Sequence, residues 1–194
     1  MPIAETPEEP YPVFIDSHVI SGFGRGSSEL GIPTANIPPS DLLASKIPHG
    51  QTGIYFGFAK VSGNYGTLKR IQAETSNGDA DPDATTTPPK SVIIPSNTPL
   101  SAPDAVVLPM VMSLGWNPFY GNSEPSAEVH IVHKFGAQFY GANIKIAVLG
   151  YIRPESDFVS VDALVEEIMN DIRLAKDALL TGPYAAVAES AFFI

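Results

Sequence analysis

Thr52-Gly53-Ile54-Tyr55-Phe56-Gly57-Phe58-Ala59-Lys60-Val61-Ser62 decides the fold class. Ile54, Phe56, Phe58 and Lys60 alternate with Tyr55, Gly57, Ala59 and Val61, which sets the two groups on opposite faces of an extended strand. Val13–Ile20, Val106–Leu114, Ala127–Phe135 and Asn143–Ile152 share this character. All are rich in β-branched and aromatic residues and bounded by Gly, Pro or Asn. Strands do not alternate with helices along the chain, which argues against a parallel βαβ sheet. Short antiparallel strands punctuated by turns fit a closed barrel or a sandwich.

One helix comes after the last strand, over about residues 160–181. Val161, Leu164, Val165, Ile168, Ile172, Ala175 and Leu179 recur at helical spacing. Ser160 is the expected N-cap. Asp162 and Glu166 suit the positive end of the helix, and Arg173 and Lys176 the negative end. Gly182-Pro183 stops it. Its apolar stripe is expected to pack on the barrel.

The chain has 194 residues, enough for one domain over 13–194 with a full core. It has no cysteine, which removes disulfides, thiol catalysis and thiolate metal sites together. The net charge of −10 disfavours nucleic acid and anionic membrane as partners. That charge is concentrated. Residues 1–12 form an acidic, Pro-rich tail with Glu5, Glu8 and Glu9. Residues 74–105 carry Glu74, Asp79, Asp81, Asp83 and Asp104 against Lys90, among closely spaced prolines. Such composition reads as a long exposed loop inserted between two strands. Residues 13–73 are net positive, at +2, so an anionic ligand can be met there. No run approaches the ~20 apolar residues of a membrane helix. The N-terminus has neither a signal-peptide core nor the Arg-rich character of a transit peptide. A soluble cytoplasmic monomer is expected, with organellar association left open.

Three clusters offer chemistry. Gly22-Phe23-Gly24-Arg25-Gly26-Ser27-Ser28 spaces its glycines so that backbone amides can approach and cradle an anion. The same residues also suit a glycine-rich turn without ligand. Neither a dinucleotide fingerprint nor a Walker loop fits, because Ser27 replaces the needed glycine and Ile32-Pro33 replace Lys-Ser. In Leu30-Gly31-Ile32-Pro33-Thr34-Ala35-Asn36, an extended backbone puts Thr34 and Asn36 on one face. Their oxygens are hard donors suited to Mg²⁺ shared with phosphates, or to local turn caps. In Ser126-Ala127-Glu128-Val129-His130-Ile131-Val132-His133-Lys134-Phe135, alternation sets Glu128 and His130 opposite Val129, Ile131 and His133. His130 and His133 then cannot share one metal. Phosphate cradle, neutral metal pair and lone carboxylate are together the parts phosphoryl transfer needs.

These motifs resemble the riboflavin kinase (flavokinase) family. The resemblance runs from the glycine cluster into Pro33-Thr34-Ala35-Asn36. It continues through Thr52-Gly53-Ile54-Tyr55, Ser113-Leu114-Gly115-Trp116-Asn117-Pro118, Glu128-Val129-His130-Ile131, Phe139-Tyr140-Gly141 and Gly150-Tyr151-Ile152-Arg153-Pro154-Glu155. It covers about residues 13–180 apart from the insertion, and the expectation is the stand-alone, monofunctional type without an adenylyltransferase domain. The resemblance implies a mainly β, six-stranded antiparallel Greek-key barrel with a C-terminal helix. It implies transfer of the γ-phosphate of ATP to riboflavin, giving FMN and ADP, with Mg²⁺ (or Zn²⁺ or another divalent ion). Glu128 would be the catalytic base. Gly22, Gly24, Arg25, Gly26, Ser28, Thr34, Asn36, Ile131, His133 and Tyr140 would bind ATP, with Thr34 and Asn36 also holding the metal. Arg153, Ser156 and Phe158 would meet the flavin. Ser28 and Ser156 stand where relatives carry basic residues. A non-catalytic flavin- or nucleotide-binding barrel, a carrier or sensor, is the alternative.

Overall fold

The computed structural model describes residues 3–22, 30–48, 51–70, 91–99, 105–116, 125–180 and 182–194, with the backbone alone for 64–70, 91–99 and 116. The alternating stretch beginning at Thr52 forms β3 (Gly53–Ser62). It is the middle of a six-stranded antiparallel sheet with β1 (Val13–His18), β2 (Ala35–Asn36), β6 (Leu108–Trp116), β7 (Pro125–Ile131) and β8 (Asn143–Arg153). The order is β1-β8-β3-β6-β7-β2. The sheet curls until its edges meet. Ile20, just beyond β1, donates its N–H to the Asn36 carbonyl of β2 at 2.9 Å. That single bridge brings the two edge strands of the curled sheet together at one residue pair.

The period of two in β3 sorts its side chains between two cores. Tyr55, Ala59 and Val61 fill the barrel with Met110, Met112, Val129, Ile144, Ile146 and Val148. Phe56 and Phe58 face outward into a second core with Ala147, Leu149, Ile172, Ala175, Leu179, Tyr184 and Phe193. Each large side chain buried this way contributes about 1.5–3 kcal/mol. Gly57 is needed where it stands, since a Cβ there would strike the Ala147 carbonyl oxygen of β8.

α2 (Val161–Leu179) supplies much of the second core: Ile168, Ile172, Ala175 and Leu179 of its stripe pack on the barrel as their spacing predicts, whereas Val161 at its start is exposed. The Ser160 hydroxyl accepts from the Ala163 N–H at 3.1 Å and caps it. Gly182, at φ +37°, then turns the chain into α3 (Gly182–Val187). The acidic N-terminal tail is not loose here. Ile3 packs on the second core and Tyr11 on the first, and the Tyr184 hydroxyl donates to the Ala4 carbonyl at 3.1 Å.

Two elements depart from the sequence reading. The short helix α1 (Pro39–Ala44) has proline in its first turn and buries Leu42. Six residues are too few for a helical period to show. The stretch read as a loop over 74–105 contains β5 (Ser91–Pro99), paired antiparallel with β4 (Asn64–Arg70) as a separate two-stranded arm. Val92-Ile93-Ile94 has the β-branched character of a strand, and prolines are tolerated where a strand has a free edge. Residues 71–90, at the centre of that stretch, lie outside the described residues.

Candidate active site

One cross-strand row carries the site. Asn36 of β2 is the register partner of Glu128 on β7, Glu128 of Ser113 on β6, Ser113 of Ile54 on β3, and Ile54 of Arg153 on β8. Register partners share a face, so these five residues line up across the outside of the barrel. Neighbouring strands lie about 4.8 Å apart, so Glu128 and Arg153 stand roughly 14 Å apart along the sheet. Arg153 joins the row through two irregularities in β8. Between the partners Phe56↔Gly150 and Gly57↔Val148, Leu149 is extra; between Tyr55↔Tyr151 and Ile54↔Arg153, Ile152 is extra. Each inserted residue resets the alternation and re-aims the side chains beyond it.

A cavity of about 300 Å³ lies over this row. Its floor is Glu128, His130, Val111, Ser113, Ile54 and Arg153 from the sheet. Leu164, Ile168 and Asp171 of α2 form a wall. Leu30, Ile32 and Thr34 close one side, and Glu155, Ser156 and Phe158 the other. An apolar cleft with a few polar groups at its ends is the usual form of a small-molecule site.

At the β7 end, the Thr34 hydroxyl donates to Glu128 Oε2 at 3.0 Å. His130 Nδ1 donates to the Pro33 carbonyl at 2.9 Å, so Nδ1 is the protonated ring nitrogen. The two bonds fasten Pro33-Thr34 along β7. Gly22 lies against the Asn36 side chain so closely that a Cβ would collide with its amide. On the far side of Val19–Gly22 runs the Phe139–Ala142 segment. Gly141 N–H donates to the Val19 carbonyl at 2.8 Å, and Val19 N–H to the Ala142 carbonyl at 2.9 Å. The start of the glycine cluster is thereby held between Asn36 and the strand-like stretch bearing Tyr140.

At the β8 end, Arg153 is gripped by α2. Its Nε donates to Asp171 Oδ1 at 3.0 Å and its Nη2 to Oδ2 at 2.7 Å, while Nη1 donates to the Pro154 carbonyl at 3.1 Å. Glu167 Oε1 stands 3.4 Å from Nε, and the Phe158 ring centroid is 5.8 Å from the guanidinium carbon. Burial pushes the Asp171 carboxyl above the ordinary carboxylate range, and the Arg153 hydrogen bonds and charge oppose that push. Across the cavity, Gly115 leaves room for the Glu155 carboxylate, which a Cβ there would displace.

The structure thus brings Glu128, Thr34, Arg153, Ser156 and Phe158 to one cavity, with Asn36 and Gly22 beside its β7 end. Ile131 sits inside the barrel core, and His133 stacks edge-on to Phe135 with centroids 4.8 Å apart. Gly24, Arg25, Gly26 and Ser28 lie outside the described residues. Sequence reasoning passed over Asp171 and Ser113. Asp171 carries a visible signal: it is seven residues after Leu164 and four before Ala175, so it puts a carboxylate on the apolar stripe of α2. Ser113 has none beyond its place in a strand.

Residues 9–179 match the family model described as Flavokinase: Riboflavin kinase. The riboflavin kinase of Scheffersomyces stipitis is 50% identical over 177 residues, covering 91% of this chain and 90% of that protein. That of Kluyveromyces lactis is 42% identical over 191 residues, covering 97% and 95%. In fold, the crystal structure of riboflavin kinase from Trypanosoma brucei superposes with a TM-score of 0.60 at 24% identity, over 96% of this chain and 91% of that one. No helix among the described residues is long and apolar enough to cross a membrane. With a family model spanning most of its length and relatives matched nearly end to end, the chain belongs to the riboflavin kinase family.

Proposed function

We propose that the chain transfers the γ-phosphoryl group of ATP to the 5′-hydroxyl of riboflavin, giving FMN and ADP. The observation that carries this reading is the pairing of Thr34 with Glu128 at the end of the cavity nearest Asn36 and Gly22. It puts a carboxylate where a polyol bound along the row would end and a nucleotide held by the glycine segment would begin.

The flavin ring system occupies the Arg153–Phe158 end and the ribityl chain runs past Ser113 toward Glu128. Glu128 orients the terminal hydroxyl and takes its proton as the oxygen bonds to the γ-phosphorus and the bond to the ADP oxygen breaks. The Thr34 hydrogen bond fixes the carboxylate while leaving its second oxygen to the alcohol. Positioning matters as much as basicity here, because the phosphoryl transition state is loose. Gly22, with Gly24, Arg25, Gly26 and Ser28 next in the chain, binds the phosphates, and His133 and Tyr140 serve the nucleotide side.

The residues present fit a divalent cation. Thr34 Oγ1 gives its hydrogen to Glu128 and keeps the acceptor character of a hydroxyl oxygen, and Asn36 adds a neutral amide oxygen. Thr34 and Asn36 would hold Mg²⁺, a hard ion that takes such oxygens together with phosphate oxygens. Bound there, the ion supplies charge neutralisation on the phosphates.

The test is direct: purified protein, riboflavin and ATP with Mg²⁺, with FMN measured by chromatography. FMN formed in proportion to enzyme supports the reading. Tight riboflavin binding without FMN would make the protein a carrier and overturn it.

A further inference from the structure

Phosphoryl transfer as drawn through Glu128 leaves one buried charge unused. Asp171 is 2% exposed, among the most enclosed polar side chains in the described residues, and it lines the cavity from the helix side. Its two oxygens take the Nε and Nη2 hydrogens of Arg153 side by side. This two-point contact fixes the plane of the guanidinium as well as its position. Arg153 carries five N–H groups. Asp171 takes two and the Pro154 carbonyl a third. One N–H on each Nη remains, on a side chain that faces the same cavity. The Phe158 ring lies on the guanidinium as a further restraint on its tilt.

We propose that Asp171 is the positioning residue for Arg153. Its carboxylate on α2 sets the guanidinium plane so that the two remaining N–H groups meet a heteroaromatic ligand with carbonyl acceptors. This deepens the riboflavin reading and rests on it. Asp171 touches no substrate and acts on affinity only through Arg153. A simple tie between helix and sheet would stabilise the fold and leave the ligand constants alone.

The experiment is a double-variant cycle on the full chain: wild type, Asp171→Asn, Arg153→Gln and both together. KM for riboflavin, KM for ATP and kcat are measured for each, with circular dichroism as the check on folding. Asp171→Asn is expected to raise the riboflavin KM about tenfold or more, with the ATP KM changed less than twofold. In the Arg153→Gln background the same substitution is expected to shift the riboflavin KM less than twofold. An equal factor in both backgrounds, or an unchanged riboflavin KM in Asp171→Asn, overturns the proposal. Should Asp171→Asn alone fail to fold, the double variant leaves no orphaned charge and answers instead. A riboflavin KM equal to that of Arg153→Gln supports the proposal, and a further rise above threefold overturns it. Wild-type protein that forms no FMN at all fails the underlying reading instead, and the cycle is then read from riboflavin dissociation constants alone.

Discussion

The Thr34 hydroxyl donates a 3.0 Å hydrogen bond to Glu128 Oε2, a residue 94 positions further along the chain. The contact exists because a two-residue strand, β2, pairs Ala35 with Val129 and Asn36 with Glu128. Pro33 sets up that pairing by keeping Ile32 out of helix, and His130 holds the Pro33 carbonyl. Barrel closure and active-site assembly are therefore one structural event, since Asn36 also accepts the Ile20 bridge.

Glu128→Gln keeps the shape and removes the proposed proton acceptor. We expect kcat to fall by about 10²–10⁴ with a smaller change in riboflavin KM. Steady-state FMN formation measures it. Turnover at the wild-type rate would remove Glu128 as the base.

Thr34→Ala removes both the oxygen proposed to hold the metal and the bond that holds Glu128. A hydrogen bond to a charged group is worth about 1.5–3 kcal/mol, so a tenfold or larger loss in kcat is expected. Asn36→Asp adds a charge at the same place and should shift the Mg²⁺ midpoint. Titration of activity with Mg²⁺ separates the two effects. An unchanged midpoint in both variants takes Thr34 and Asn36 out of the metal site.

Gly22→Ala tests the other side of Asn36. The added methyl would collide with the Asn36 amide, so one of the two must move. Because Asn36 lies beyond Glu128 from the cavity, the effect should fall on the nucleotide. We expect the ATP KM to rise about tenfold, equivalent to 1.4 kcal/mol. Riboflavin affinity measured without ATP should stay within twofold, and a larger riboflavin effect would place the glycine segment over the flavin.

Much of this architecture is written in local patterns. The alternation in β3, the burial of every second residue in β1, and the helical stripe with its Ser160 cap each arise from nearest-neighbour chemistry. The extended Pro33–Asn36 stretch and Glu128 on the face opposite Val129 and Ile131 were equally legible. The hidden features depend on partners far away. The two extra residues in β8 lie in or beside a run buried on both faces, Ala147–Gly150, where apolar residues show no period to break. Strand β5 sits among prolines and acidic residues that mask its apolar centre. Asp171 is hard to see because a stripe is scored by its apolar members, and it is the one charged residue the stripe buries.

Alkaline pH tests the closed end of the barrel. Tyr55 is fully buried, its ring 5.2 Å from that of Tyr151 and 6.5 Å from that of Tyr11. Its hydroxyl donates to the Gln51 carbonyl at 2.6 Å, and that of Tyr151 to the Thr52 carbonyl at 3.1 Å. Burial first, and the neighbouring phenols second, push Tyr55 and Tyr11 above the usual tyrosine value; burial also raises Tyr151. A raised folded-state pKa gives stability that is whole below the unfolded value, near 10, and is lost as pH climbs toward the folded one. Above pH ~10, Tyr55 alone should lower stability by about 1.4 kcal/mol per pH unit, because the unfolded chain releases its proton and the folded one keeps it. Tyrosinate absorbance and circular dichroism recorded together should show Tyr55 ionising only as the fold is lost. In Tyr55→Phe, that part of the alkaline slope should vanish. Complete tyrosine titration near pH 10 with the barrel intact would contradict the enclosure of Tyr55.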